Sequence, residues 1–350
     1  MSKNWPNHIL IVGSSRKGAL EHYYVKAMKG LGIPTVQLFD LERPISQLTS
    51  YRMISRITEP IQDILVGKAL EQFLKESPPP NAIIVFKGMR LTVESLRRCK
   101  RIVGPNSTWI NYNPDDPFDT FSRGNSNKNI LSAIPQYDIY GTWTHRLMAP
   151  IRNAGCQNPI IIPFASDPST HTPSQTIDLE LSGTITFVGG WDRYREEMLS
   201  CLRGLPIRIF GSGWDRSGSK FPFRNNISAH NIYDSKLRRV ITSSLASINV
   251  LRPQNFGSHN MRTFEIPAMG GVMLTDYSED QALNFPPGKA SLMFSSRDEL
   301  RSKADALVSG AIDTQRIRAA GQELAEGQRY IHRAASLLDA VATFQNGGGA

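Results

Sequence analysis

The chain has 350 residues, with 40 Lys and Arg against 31 Asp and Glu for a formal charge of +9. That length exceeds what one hydrophobic core usually organises, so two domains of similar size are expected, with a ligand cleft where they meet. At 40% hydrophobic and 20% charged residues the composition excludes long disorder.

The positive field favours anionic ligands such as nucleoside diphosphates. The basic residues are scattered, with no basic arm interleaved with aromatics, so nucleic acid is not expected as a partner. The three cysteines, Cys99, Cys156 and Cys201, are far apart and odd in number, which fits neither a disulfide framework nor a zinc site. The opening residues lack a charged segment followed by an apolar core and a cleavage site, and no apolar run reaches membrane-spanning length. A soluble cytoplasmic protein is expected, and its charge is compatible with peripheral contact at the inner face of a membrane.

In chain order, His8-Ile-Leu-Ile-Val12 predicts a strand, Gly13-Ser-Ser-Arg-Lys-Gly18 a phosphate-sized loop and 20–31 a helix. Pro34-Thr-Val-Gln-Leu-Phe-Asp40 and Asn81-Ala-Ile-Ile-Val-Phe86 predict further strands, the latter after the Pro78-Pro-Pro80 turn. Apolar strands without alternation predict a parallel sheet covered on both faces. A helix over 92–99 feeds the strand Thr108-Trp-Ile-Asn-Tyr112, which empties into Asn113-Pro-Asp-Asp-Pro-Phe-Asp119. That loop puts carboxylates at the strand's C-terminal edge, where open α/β sheets bind ligands. Strands at 137–142 and 159–163 complete a domain over 1–165, and 166–182, rich in Ser, Thr, Pro and Asp, predicts a linker.

A second α/β series over 183–327 opens with Gly183-Thr-Ile-Thr-Phe-Val188, the pair Gly189-Gly190 and a helix to Leu202. The strand Pro206-Ile-Arg-Ile-Phe210, the loop Gly211-Ser-Gly-Trp-Asp215, a helix over 234–244 and the strand 246–251 follow. Phe256 to Gly271 predicts a loop, a short helix and a glycine stop before the strand 272–275. The end is mostly helical from 298 to 343, with a frayed tail over 346–350.

Five stretches together resemble a known group, the CgeB-like glycosyltransferases, relatives of the GT4-type enzymes with the GT-B fold. They are Val85-Phe-Lys-Gly88, Asn113-Pro-Asp-Asp-Pro117, Phe187-Val-Gly-Gly190, Phe210-Gly-Ser-Gly-Trp214 and Asn260-Met-Arg-Thr-Phe-Glu-Ile-Pro-Ala-Met-Gly-Gly271. The resemblance implies an α/β fold of two Rossmann-like domains with mostly parallel sheets facing across a cleft. It places a nucleotide-sugar donor on the second domain and an acceptor, whether glycan, lipid-linked or protein, on the first. It also implies that a final helix, here within 328–345, crosses back to the first domain. The GT4 pattern carries a further glutamate where this chain has Gly257, so that group's donor-sugar contacts and retaining outcome are not carried over.

A diphosphate leaving group needs its growing charge stabilised, which backbone amides at a helix start and one or two cations do without a metal. Ser258, His259 and Asn260 stand where such a helix begins, and Arg262 suits a forked contact with phosphate. Glu265, three residues on, shares its helix face; by resemblance it binds the ribose hydroxyls. Gly189 and Gly190 let backbone approach phosphate, with Arg193 or Arg195 in reach of the same anion. Gly213 and Trp214 border the base or diphosphate, although a core tryptophan is the alternative. Asp115 and Asp116 are the candidate bases, with capping of the turn at Pro117 as the alternative. His145 is a further candidate base, and Gly13, Ser14 and His22 are expected on the acceptor side. No metal and no cofactor are expected, and the oligomeric state is open. An NAD-linked oxidoreductase is disfavoured because Gly13 and Gly18 lack the GxGxxG spacing; a non-catalytic nucleotide- or sugar-binding protein remains as the alternative.

Overall fold

The computed structural model describes residues 4–16, 18–46, 55–120 and 124–347. Residues 1–3, Lys17 of the first expected loop and 348–350 of the expected tail lie outside the described residues. Met1–Pro163 with Tyr330–Ala350 form one compact unit, and Phe164–Arg329 form a second.

The first unit runs β1 (His8–Gly13), α1 (Leu20–Gly30), β2 (Thr35–Asp40), α2 (Ser55–Glu76), β3 (Ala82–Phe86), α3 (Val93–Val103) and β4 (Thr108–Asn113). It continues through α4 (Lys128–Ala133), β5 (Ile139–Thr142), α5 (Met148–Asn153) and β6 (Pro159–Ile161). The second runs β7 (Ile185–Val188), α6 (Arg193–Ser200), β8 (Ile207–Phe210), β9 (Ile227–Ser228), α7 (Asp234–Ser243), β10 (Ala246–Asn249) and α8 (Met261–Ala268). It ends with β11 (Met273–Asp276), α9 (Glu279–Asn284), β12 (Leu292–Phe294), α10 (Arg297–Val308) and α11 (Thr314–Glu326), after which α12 (Tyr330–Gly347) returns to the first unit.

Both sheets are six-stranded, in the orders β2-β1-β3-β4-β5-β6 and β12-β11-β10-β7-β8-β9. Every pairing is parallel. Helices cover both faces of such sheets, so central strands are apolar throughout, as in the fully buried Ala-Ile-Ile-Val-Phe of β3. Strand order reverses between β1 and β3 in one sheet and between β7 and β10 in the other. Crevices outside the carboxyl ends of strands at such reversals are where open α/β sheets bind ligands.

Three features depart from the sequence expectation. The 22-residue helix α2 was not expected, because it contains Pro60 and its buried positions include a glutamine, Gln62, while Ile61 and Ile64 face out. Short elements α4, α5, β9, α9 and β12 also went unread. The stretch 166–182 is not a solvated linker but part of the second unit. The Ser166 amide donates to Gln328 O at 2.9 Å, the Ser174 amide to Thr242 Oγ1 at 2.9 Å and the Asp178 amide to Ser243 Oγ at 2.8 Å. Its Ser, Thr and Asp residues serve turns, as where Asp167 Oδ1 accepts from the Ser169 amide at 2.6 Å, so the polar composition is satisfied internally.

Helix α12 buries Tyr330, Ala334, Leu337, Leu338 and Val341 within the first unit. Its Tyr330 ring stacks on Tyr23 of α1 at 4.8 Å between centroids.

Candidate functional site

In the second unit the chain leaves β7 through Gly189-Gly190 and β8 through Gly211. Gly211 has φ 151°, and a Cβ there would stand 2.1 Å from the Gly189 carbonyl oxygen, so the two strand-end loops touch only because Gly211 has no side chain. Arg195 of α6 is a strut across the reversal point, with Nη1 donating to Gly190 O at 3.0 Å and Nε to Val250 O at 3.1 Å. It therefore ties the end of β7 to the end of β10 instead of reaching outward to an anion. Burial pulls its pKa down to about 10, and the nearby Arg252 and Arg262 add to that fall against the pull of Asp192 and Asp276.

Arg252, which the sequence reading missed, lies over Gly190, where an added Cβ would come within 3.3 Å of its Nη2. Arg262 points its Nε at Val188 O, 3.5 Å away, and its guanidinium pairs with the Glu265 carboxylate. Glu265 is 2% exposed, with His171 Nε2 3.4 Å from its other oxygen. Burial raises the Glu265 pKa, but Arg262 and then His171 outweigh it and hold the carboxyl below its ordinary value. Asp276, at the end of β11, accepts from the Leu251 amide at 2.6 Å, and burial pushes it up to about 6 against that hydrogen bond.

Helix α8 begins where the sequence placed it. Asn260 is its N-cap, accepting from the Thr263 amide at 3.2 Å while Thr263 Oγ1 accepts from the Asn260 amide at 3.3 Å. Asn260 Nδ2 also donates to Asn249 Oδ1 of β10 at 2.9 Å, which pins the helix start to the reversal point.

Several expected donor contacts take other roles. Trp214 is 1% exposed, stacks on Phe221 at 5.5 Å and donates its indole N–H to Gly189 O at 3.0 Å, so it is a core residue and not a base platform. An aromatic that this region keeps half-buried is Trp191, with the Arg216 guanidinium 4.6 Å from its ring centroid. Gly213 has φ 81° and turns the chain into the short 3-10 turn that carries Arg216. Arg193 is exposed and pairs with Glu197 at 3.0 Å along its own helix. Ser258 and His259 are 1% and 2% exposed: the serine hydroxyl donates to Asp280 Oδ2 at 2.7 Å, and the imidazole Nε2 accepts from the Phe164 amide at 3.3 Å between the edges of Phe164 and Phe264. Their side chains build the wall behind the loop.

In the first unit a cavity of ≈ 620 Å³ opens at the other reversal point, lined by Gly13 and Ser14 after β1, Asp40 of β2 and Lys87 after β3. Its floor is Glu21 of α1, which the sequence reading did not single out. The Ser14 amide donates to Glu21 Oε1 at 2.6 Å, and a Cβ on Gly13 would collide with that oxygen at 2.3 Å. Burial raises the Glu21 pKa against the Ser14 hydrogen bond. Lys87 has φ 62°, a left-handed conformation that a non-glycine residue rarely holds, and its ammonium pairs with Asp115.

Asp116 takes the capping role: Oδ1 accepts from the Phe118 amide at 2.9 Å and Oδ2 from Arg146 at 3.1 Å. His145 is exposed in the short turn His145–Leu147, and His22 is exposed with Nε2 2.9 Å from Ser15 O. Neither histidine lines the cavity. A further cavity of ≈ 660 Å³, lined by Thr172, Ser174, Lys236 and Arg239 among others, shares no residue with either strand-end site. Among the described residues no group of three His, Cys, Asp or Glu is placed to hold a metal ion, and no helix is long and apolar enough to cross a membrane.

Residues 193–339 match the family model described as glycosyl transferase-like. Among solved structures, the sucrose-phosphate synthase of Thermosynechococcus elongatus is similar at 12% identity over 94% of this chain and 97% of that one, with TM-score 0.68. Anabaena HepE in complex with UDP-glucose aligns at 11% identity over 95% and 99% of the two chains, with TM-score 0.63. A trehalose-6-phosphate synthase aligns at 13% identity over 96% and 99%, with TM-score 0.64. No curated protein matches by sequence. The structural likeness shows the GT-B fold, two Rossmann-like units of parallel sheet, and the family match covers the second unit from α6 onward and the first part of α12.

Proposed function

We propose that this chain is a GT-B glycosyltransferase that moves a hexose or related sugar from a nucleoside-diphosphate sugar to a hydroxyl of a glycan, lipid-linked or protein acceptor. The observation that carries the reading is the gathering of Arg195, Arg252 and Arg262 at the β7/β10 reversal point of the unit that matches the transferase family. Arg195 is spent on backbone carbonyls, while Arg252, whose Nε lies 3.5 Å from Asp192 Oδ2, and Arg262, paired with Glu265, are the two guanidiniums that exchange those carboxylates for an anion.

A diphosphate seated against Gly189, Gly190 and Gly213 receives these two guanidiniums and the amides at the start of α8. They stabilise the charge that grows on the leaving group, the part a divalent cation plays elsewhere, so transfer proceeds without metal. When the diphosphate takes the Arg262 guanidinium, an oxygen of Glu265 is released to accept from the ribose hydroxyls. UDP-glucose, the ligand of the HepE complex, is the first donor to try. The CgeB-like subtype and a cytoplasmic site of action belong to this reading.

Thermal unfolding against UDP, GDP, dTDP, ADP and CMP, with NAD as a control and a chelator present, tests it, because a ligand of the folded state raises the transition with the logarithm of its concentration. One nucleoside diphosphate is expected to stabilise the chain selectively. Stabilisation by NAD alone, or by nothing, rejects the donor site.

A further inference from the structure

Within the second unit, the stretch 172–176 and one side of α7 enclose a cavity of ≈ 660 Å³. Helix α7 turns Leu237, Val240 and Ile241 into the core, and its period then carries Ser235, Arg238 and Arg239 to the opposite side. The other wall is fastened to the far end of the helix, where the Ser174 amide donates to Thr242 Oγ1 at 2.9 Å and the Asp178 amide to Ser243 Oγ at 2.8 Å. The Ser174 hydroxyl donates to Thr176 O at 2.9 Å, which closes that wall into a turn.

The lining carries one sign of charge. Lys236, Arg238 and Arg239 contribute to it together with Thr172 and Ser235, and no Asp or Glu does. Among the described residues no carboxylate pairs with any of these three cations, whereas Arg193, Arg262 and Arg301 of the same unit each pair with an acid on their own helix. Arg238 Nε is moreover buried without an acceptor, a donor whose desolvation nothing offsets. Like charges three residues apart on a helix repel, and an anion seated among them relieves that repulsion.

We propose that this cavity binds a phosphate ester at a site separate from the donor site. Two guanidiniums and an ammonium suit a doubly charged phosphate, whose terminal oxygens accept from them and from the hydroxyls of Thr172 and Ser235. The volume exceeds what phosphate alone fills and leaves room for the organic part of the ester. That part belongs either to a soluble sugar or glycerol phosphate or to a phospholipid. The site lies wholly within one unit and does not rest on the transferase reading.

The test titrates the full chain with inorganic phosphate, glycerol 3-phosphate and glucose 6-phosphate at constant ionic strength, by calorimetry and by thermal shift with chloride as reference. Arg238→Gln with Arg239→Gln removes both guanidiniums, Lys236→Gln changes one exposed residue, and Lys220→Gln with Lys289→Gln removes two exposed charges outside the cavity. Wild type is expected to bind phosphate saturably, and the arginine pair of changes to weaken it on the order of tenfold or more, with Lys236→Gln weakening it less. The Lys220 and Lys289 changes should leave it within about twofold, because distant exposed charges are screened. Tighter binding of a soluble ester than of inorganic phosphate identifies the free ester. Equal binding, with wild type but not the arginine variant sedimenting on phosphatidic acid vesicles, identifies the lipid headgroup. Stabilisation by phosphate that is equal in every variant is a general salting effect and overturns the proposal. So does binding of inorganic phosphate with no preference for either ester or vesicle, or competitive displacement of phosphate by the stabilising nucleotide, which would return the cavity to the donor site.

Discussion

At the residue scale, the Arg262 and Glu265 pair ties the proposed donor contacts to stability through the same atoms. With Arg262 and His171 beside it, the buried Glu265 carboxyl stays ionised, and its pKa lies below the unfolded value. A lowered carboxyl pKa contributes stability that is present above the unfolded value and is lost as pH falls through the folded one. Replacing Arg262 with alanine leaves that carboxylate buried with His171 alone, so a loss of about 3 kcal/mol is expected in chemical denaturation. Glu265→Gln removes the charge and one of the two acceptor oxygens, and should cost less in stability while weakening nucleotide binding. If Glu265→Gln binds the stabilising nucleotide as tightly as wild type, the ribose role is wrong.

Asp276 has the opposite sign. Its pKa rises from 3.8 to about 6, so the folded state holds the proton more tightly and the chain loses stability as pH climbs through that window. Asp276→Asn keeps an oxygen for the Leu251 amide and is expected to flatten the fall between those two values. A wild-type and variant pair with parallel stability curves over that range would show that the Asp276 carboxyl titrates alike in the folded and unfolded chain.

At the element scale, the boundary of α8 was legible because Asn260 is a strong N-cap and the glycines at 270 and 271 mark the stop. The same asparagine links two elements, since its amide reaches Asn249 of β10. Asn260→Ala therefore removes a cap worth about 1 kcal/mol and leaves a buried acceptor on Asn249 short of a donor, for a combined loss of about 2 kcal/mol or more. A change below 0.5 kcal/mol in urea unfolding would mean that solvent replaces both contacts. The strands were legible for a similar local reason: β1 and β3 are runs of Ile, Leu and Val that suit a doubly covered parallel sheet.

What could not be read depends on partners distant in sequence. Nothing local tells that Trp214 packs on Phe221 while Trp191 stays half-buried, nor that the polar stretch 166–182 docks on α7. Glu21 looks like an ordinary first-turn acid of α1 until the β1–β3 reversal puts a cavity over it. Arg252 likewise gains meaning only when β10 pairs with β7 and brings it over Gly190. Motif spacing located the glycine loops, the α8 start and the Arg262 and Glu265 pair; the places of Arg252 and Glu21 follow from sheet order.

At the scale of the whole molecule, the chain visits the first unit twice, and its last helix is a structural part of that unit. Leu338 of α12 is fully buried, in a face that also carries Tyr330, Ala334, Leu337 and Val341. Leu338→Ala removes three carbons from a packed site and leaves a cavity, which costs about 2–5 kcal/mol depending on how far α1 and α12 relax. That loss belongs to the unit made of 1–163 and 330–350, although the mutated residue lies more than two hundred positions from β1 in the chain. Amide hydrogen exchange resolves where it falls: protection should drop in β1, α1 and β3, with little change in β7, β8 and β10. The stabilising nucleotide should do the reverse, slowing exchange at the ends of β7 and β10 and at the start of α8. Equal loss of protection in both sheets of the alanine variant would show that the two units unfold as one, and that the second sheet draws its stability from the packing of α12.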